Sequence, residues 1–382
     1  MRDGVTDRLA AGAEAWRERA RRFAEAEVLP VAAQIDREDR VPEVLVRGLA
    51  REGFLGVGLP ESWNGAGGDT RATVAVLEEL ARASAAVAVL AAVHLSVCAA
   101  PILTHGTEEQ KERFLRPLAR GELVGAFGLT EPGAGSDTAR IATRYVREGA
   151  EFVLRGTKMF TSNAVTAGVI LVFATSDPAL GSRGTSAFIV PPGTSGFSVA
   201  QRLDKLGLRG SETTELVLDG VRLPSAALLG KEGEGLHVAL GALAGGRVGI
   251  ASCALGVARA AFEEMRRSVQ AHDEEWKRPI LARAYVELAS AQALVDRAAT
   301  LKDAGEPFVE AASVAKLAAS QAAVTIASAG VDVAGPEGVR SGAPAERLLR
   351  DARVFPIVEG TTEIQELILA RGLLAADRSP IL

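Results

Sequence analysis

Three short runs carry residue types that could do chemistry. The first, Gly128-Leu129-Thr130-Glu131-Pro132-Gly133-Ala134-Gly135-Ser136-Asp137, is glycine-rich and holds two hydroxyls, Thr130 and Ser136. Backbone amides beside hydroxyls can hold a polar heterocycle or a phosphate-bearing ligand, although the same composition also suits a plain turn. The second, Lys158-Met159-Phe160-Thr161-Ser162-Asn163-Ala164, sets an aromatic ring beside three hydroxyl or amide side chains. It reads either as a stacking wall with hydrogen-bonding neighbours or as a strand end with an inward Phe. The third, Val358-Glu359-Gly360-Thr361-Thr362-Glu363-Ile364, follows the apolar Phe355-Pro356-Ile357. A Glu there is either an ordinary acid at a helix start or a desolvated general base. Burial would raise its pKa from about 4.3 toward about 6–7.

Other chemistries find little support. His94, His105, His237 and His272 lack ligand spacing, so no metal is expected. No phosphate-binding GxxxxGK[ST] loop, GxSxG elbow or dinucleotide GxGxxG turn occurs in the required context. The net charge is −5, from 43 basic and 48 acidic residues without a Lys/Arg block, which speaks against nucleic acid. Cys98 and Cys253 form no CxxC pair, and the stretch MRDGVTDRLA is charged where a secretory signal would be apolar. A cytoplasmic protein is expected.

The elements that must position these runs change character along the chain. The 382 residues suggest two or three domains, and only 4% are aromatic, which favours helices packed closely on small side chains. Helices are expected over 14–28, stopped by Pro30, over 41–53 with Pro42 in the first turn, and over 70–83. Thr107 reads as the N-cap of a helix reaching Ala119. The uncharged segment 83–107 is long enough to span a membrane, but its Ala, Val and Ser content and missing aromatic belt favour a buried helix. From 122 the texture turns to short β-rich runs: 122–129, 142–146, 151–158, 168–174, 185–190, 196–203 and 214–223, with a hairpin loop at 147–150. Long helices return at 235–271, 279–304 and 307–334, followed by shorter pieces to 375. The expected fold is multi-domain α+β. It comprises an N-terminal helical domain (1–120), a middle small β-barrel or sandwich (121–225) and a C-terminal four-helix bundle (226–382).

Taken together and in order, these blocks resemble the acyl-CoA dehydrogenases. GAFGLTEPGAGSD, KMFTSNA, LGLRGSETTELVLDGVRLP, GGRVGIA and RDARVFPIVEGTTEIQ carry the resemblance, with GFLGVGLPE, GTEEQKERFLRPLARGE and LLGKEGEGL in support. It spans about Phe54 to Arg371. It implies FAD held between the β-domain and the bundle, a homodimer or homotetramer, and no nucleic-acid or membrane partner. Phe127, Leu129 and Thr130 would contact the flavin, and Ser136 the thioester arm of an acyl-CoA substrate. Phe160 stands where the family usually stacks a Trp on the isoalloxazine, and Ser162 replaces the usual Thr near flavin N5. Thr361 and Glu363 would be further cofactor contacts, and Arg247 and Gly360 substrate contacts. Glu359 would be the base. The other position at which members carry it is Gly246 here. The implied reaction removes the α-proton while the β-hydride leaves for the flavin, giving the trans-2-enoyl-CoA. Electrons then pass to an electron-transferring flavoprotein. The Glu359 amide and a ribityl hydroxyl would polarise the thioester oxygen.

Two positions depart from the family pattern. The Arg usual after the first bundle helix, directed at the partner subunit's FAD pyrophosphate, is Asp273, and the Gln of a QxxGG stretch is Asp332. Losing one charge-assisted bond costs about 1.5–3 kcal/mol, or ten- to a hundredfold in affinity, and an acid adds repulsion. An FAD-poor, non-enzymatic acyl-CoA-binding relative therefore stands as one alternative. A dehydrogenase acting on an acyl carrier protein is another.

Overall fold

Pro30 bends the first helix instead of stopping it. In the computed structural model, which describes residues 3–375, α1 (Asp3–Phe23) runs through a wide turn at 24–28 and a tight turn carrying Pro30. It then resumes as α2 (Ala32–Glu38). Pro30 falls in the first turn of the tight piece, where a missing N–H is tolerated. Pro42 is extended (ψ 138°) and stands as the N-cap of α3 (Glu43–Arg51), outside the first turn, so the helix starts two residues later than the expected 41. Asp69 caps α4 (Thr70–Ala83) by accepting from Ala72 N–H at 2.7 Å.

Next come α5 (Ala85–Ala92) and α6 (Ala100–His105), two ends of one apolar helix joined by a wide turn at 93–99. Then α7 (Glu108–Gln110) opens with Thr107 and Gln110 in a capping box, and α8 (Arg116–Ala119) closes the layer. Ala85–His105, Gly235–Ala271 and Val309–Val339 are each long and apolar enough to cross a membrane. In the first, 83% of the most apolar window is buried by the protein itself, so its composition serves packing.

The middle layer is one eight-stranded sheet. Its strands are β1 (Gly125–Gly128), β2 (Arg144–Glu148), β3 (Glu151–Ser162), β4 (Val169–Thr175), β5 (Thr185–Val190), β6 (Phe197–Arg202), β7 (Thr213–Pro224) and β8 (Leu228–Leu229). The order is β6-β7-β3-β2-β4-β5-β8, with β1 parallel on β4. The two-residue β8 is too short to announce itself by alternation. β4 is apolar on both faces because both are covered. Ile170, Val172 and Ala174 join Tyr145, Phe152 and Phe188 in the sheet's own interior, while Val169, Leu171 and Phe173 join the helical core.

The chain then becomes helical again in α9 (Gly235–Ala271), α10 (Lys277–Asp303), α11 (Val309–Ala334), α12 (Pro344–Ala352) and α13 (Thr362–Leu374). Small side chains set the helix spacing: a Cβ at Gly256 of α9 would overlap the Glu78 carbonyl of α4. Two polar ties join the layers. His94, wholly buried, offers Nδ1 to the Gly125 N–H (3.1 Å) and bonds the Leu55 carbonyl through Nε2 (2.9 Å). Asp351 accepts from Leu208 N–H at 2.7 Å, and the neighbouring Arg350 grips Asp36 of α2 at 2.7 and 2.8 Å. The ends of the expected domains, 1–2 and 376–382, lie outside the described residues.

Candidate active site

Between α12 and α13 the chain makes a corner in which two successive residues are left-handed, Glu359 (φ 51°) and Gly360 (φ 101°). Gly360 must be glycine for a second reason: a Cβ there would overlap Gln365 Nε2. Its carbonyl accepts from Lys316 Nζ (2.7 Å) and Gln365 Nε2 (3.2 Å). Thr361 caps α13, its hydroxyl accepting from Ile364 N–H (3.4 Å), and Thr362 N–H reaches back to the Pro356 carbonyl (2.9 Å).

This corner lays the Glu359 carboxylate against α9. Both oxygens are enclosed and have no hydrogen-bond partner. Room for them exists because residue 246 has no side chain, since a Cβ at Gly246 would overlap Glu359 Oε2. Burial pushes the carboxyl up to about 7, against the pull of Arg247 and Lys316, which favour its charged form. Arg247 is buried with Nε unpartnered, and burial lowers its pKa against the opposing influence of Glu359. Lys316 is wholly buried and its ammonium is pushed down to about 8, again with Glu359 opposing the shift. The geometry is that of a carboxyl able to take a proton near neutral pH, with two cations near it.

The other two runs meet through a buried ion pair. Lys158 Nζ reaches Glu131 Oε1 at 2.6 Å and the Leu129 carbonyl at 3.2 Å, while Glu131 also accepts from the N–H groups of Ala142 (2.6 Å) and Thr143 (3.0 Å). Burial works against the Glu131 charge, yet Lys158 and these donors outweigh it and hold the carboxyl below its ordinary value. The Thr130 carbonyl accepts from Met159 N–H (2.8 Å), and Phe127 packs on Phe173 with ring centres 4.9 Å apart.

Phe160 corrects the inward-Phe alternative. A register shift in β3 gives it φ 56°, and the ring stands 64% exposed. Ser162 pairs with Thr213 at the strand end, and Asn163 beside it ties the Leu90 and Gly125 carbonyls (both 3.1 Å). Ser136 is exposed on a loop where a Cβ at Gly133 or Gly135 would meet nothing. Glu363 is exposed in the first turn of α13, held charged by its own backbone N–H and the Thr361 hydroxyl.

Glu359, Gly360, Arg247 and Gly246 thus form one cluster, while Phe127 lies on β1, Leu129 and Thr130 follow it directly, and Phe160 and Ser162 lie on β3. Sequence reasoning missed Lys316, although it lies on the same buried stripe of α11 as Ala312 and Ala319. It also missed the Lys158–Glu131 pair, whose opposite charges stand in two runs already singled out. Asp273 is not a bare acid: Arg278 engages it through two hydrogen bonds (2.6 and 2.9 Å), so the repulsion expected of it is offset within the chain. Asp332 is exposed on α11. Among the described residues no group of three or more His, Cys, Asp or Glu could hold a metal ion.

A flavin needs an aromatic wall, hydroxyls and open backbone near its phosphates. The exposed Phe160 ring, the hydroxyls of Thr130 and Ser162, the buried unpartnered Thr161 Oγ1 and the open 133–136 loop fit that need. Comparison with known proteins decides the family. The acyl-CoA dehydrogenase N-terminal, middle and C-terminal domains match residues 11–122, 126–221 and 233–374. The chain belongs to the acyl-CoA dehydrogenase family. Members are FAD-dependent oxidoreductases of acyl-CoA thioesters.

Among its relatives is a short-chain specific acyl-CoA dehydrogenase of Clostridium acetobutylicum. It is 40% identical over 368 residues, covering 94% of this chain and 96% of that one. Among solved structures, butyryl-CoA dehydrogenase from Megasphaera elsdenii superposes with a TM-score of 0.93 at 34% identity, over 95% and 98% of the two chains. A chain in a structure described as the electron transferring flavoprotein of Acidaminococcus fermentans gives 0.94 at 34% identity, over 96% and 98%. This acyl-CoA dehydrogenase therefore carries its fold and all three family domains along nearly its whole length.

Proposed function

We propose that the enzyme oxidises a short-chain acyl-CoA to its trans-2-enoyl-CoA, with Glu359 as the base and an electron-transferring flavoprotein as the electron acceptor. One observation carries the assignment: an enclosed, unpartnered carboxylate laid over the side-chain-free Gly246, beside Arg247 and Lys316. FAD, when bound, accepts the β-hydride. The rest falls to the chain. Glu359 takes the α-proton and becomes a neutral acid, which burial favours against the pull of the two cations. Its backbone N–H bonds no backbone carbonyl among the described residues, which leaves it available to polarise the thioester oxygen. Phe127, Leu129, Thr130, Phe160, Ser162, Thr361 and Glu363 are assigned to the cofactor, and Ser136, Arg247 and Gly360 to the substrate.

The short-chain substrate is supported by the Clostridium and Megasphaera relatives, and the electron acceptor by the Acidaminococcus structure. Exposed Trp276, Tyr285 and Val286 on or beside α10 support a homo-oligomer, dimer or tetramer. The unpaired, buried thiols of Cys98 and Cys253 support a cytoplasmic enzyme. The test is anaerobic stopped-flow bleaching of the oxidised flavin by butyryl-CoA. Glu359→Gln should retain flavin and thioester binding but reduce several orders of magnitude more slowly, because an amide cannot accept the proton. Reduction within about tenfold of wild type would remove Glu359 from the role.

A further inference from the structure

A left-handed backbone is sparsely populated for Glu and persists only where surrounding contacts over-determine it. At Glu359 those contacts converge on the next residue, whose carbonyl is gripped by Lys316 from α11 and Gln365 from α13. Lys316 is wholly buried, and the Gly360 carbonyl is the one hydrogen-bond acceptor of its ammonium among the described residues. A buried ammonium with one neutral acceptor is costly unless a carboxylate lies close, and an apolar side chain of similar size would fill the same space without that cost. Packing therefore does not account for a lysine here. Glu359 is the principal charge favouring the ammonium, Arg247 opposes it and Glu363 assists.

We propose that Lys316 is a positioning residue for the base. Through the Gly360 carbonyl it holds the left-handed corner that lays the Glu359 carboxylate over Gly246, and its charge keeps that carboxylate ionisable. The proposal rests on Glu359 being the base. The titratable and charged groups acting with Glu359 are Arg247 and Cys253 from α9 and Lys316 from α11, while Glu363 from α13 acts on Lys316. Burial keeps the Cys253 thiol neutral, so the two cations alone oppose the desolvation of the carboxylate. Removing one cation leaves desolvation less opposed, and the carboxyl then holds its proton to higher pH.

The experiment follows two readouts in the holoenzyme across pH. One is the rate of flavin bleaching by butyryl-CoA. The other is the infrared carboxyl band of 13C-glutamate-labelled protein, assigned by its loss in Glu359→Gln. Lys316→Met should move the midpoint of both upward by about one unit and slow bleaching about fivefold at neutral pH. Lys316→Arg should return both midpoints to within about 0.3 units of wild type, since charge and donor are restored. If the methionine variant does not fold, Lys316→Gln, neutral but still able to donate, should show the same upward shift. A midpoint unmoved in the neutral variant, or moved as far by arginine as by the neutral side chain, would overturn the proposal. A merely structural lysine would lower the rate at every pH with the midpoint in place. Should Glu359→Gln bleach as fast as wild type, the base assignment fails. Should it be inactive while the Lys316 midpoint stays fixed, only the positioning role fails.

Discussion

A carboxyl whose pKa rises from 4.5 to about 7 on folding keeps a proton that the unfolded chain has released, and this has a sign for stability as well as for rate. Below pH 4.5 both states are protonated and burial carries no electrostatic penalty. Between 4.5 and 7 the unfolded state ionises first, so stability falls as pH rises, and above 7 the full penalty stands. It amounts to about 3 kcal/mol. Glu359→Gln should therefore melt above wild type at pH 8, with the difference shrinking toward pH 5. Calorimetry across that range checks it, and a pH-independent difference would contradict the burial of the charge. The rate has the opposite slope: wild-type flavin reduction should rise with pH through about 7 as the carboxylate forms. Glu359 and Arg247 were legible because each lies in a distinctive run. Lys316 was harder to see because a lysine among alanines reads as solvent-facing, and only the period of α11 turns it inward.

α9 gives up side chains where other parts of the molecule need the space, and Gly246 is the place where that choice touches the chemistry. Gly246→Ala should leave helicity intact, since alanine is the better helix former by about 1 kcal/mol, yet it would force the Glu359 carboxylate aside. Flavin reduction should fall on the order of a hundredfold, with far-ultraviolet circular dichroism unchanged. Reduction at the wild-type rate would show that the carboxylate has another productive seat. Element positions were largely visible in advance, because apolar period and turn residues mark the strands and the long helices. What stayed hidden were features that break the local rule: the continuation of the helix past Pro30, the two-residue β8, and the register shift in β3. That shift turns Phe160 outward through a backbone conformation a bulky residue seldom adopts, and only the pairing with β7 reveals it.

Across the whole molecule, the layers are joined by a few buried polar ties whose partners are far apart in sequence and so invisible to motif reading. His94 is the clearest. Burial pushes its imidazole down to about 4, so it stays neutral while bridging Leu55 and Gly125. Above pH 6.5 it is neutral in both states. As pH falls toward 4 the unfolded chain takes up a proton that the folded one refuses, and stability drops by about 1.4 kcal/mol per pH unit. His94→Gln should lack that slope while being less stable at neutral pH by about 1–3 kcal/mol, because one of the two backbone partners is left unsatisfied. Urea midpoints between pH 7 and 4 test both effects, and equal slopes in the two proteins would place the acid sensitivity elsewhere. The Glu359 corner carries a consequence for how the chain is made. Ribosomal synthesis delivers Arg247 first, Lys316 next and the carboxylate only after α12. Until residue 359 emerges, a bundle that closed would enclose two cations with no anion between them, which burial strongly disfavours. The carboxylate, itself disfavoured by burial, is the group that offsets the burial of both cations.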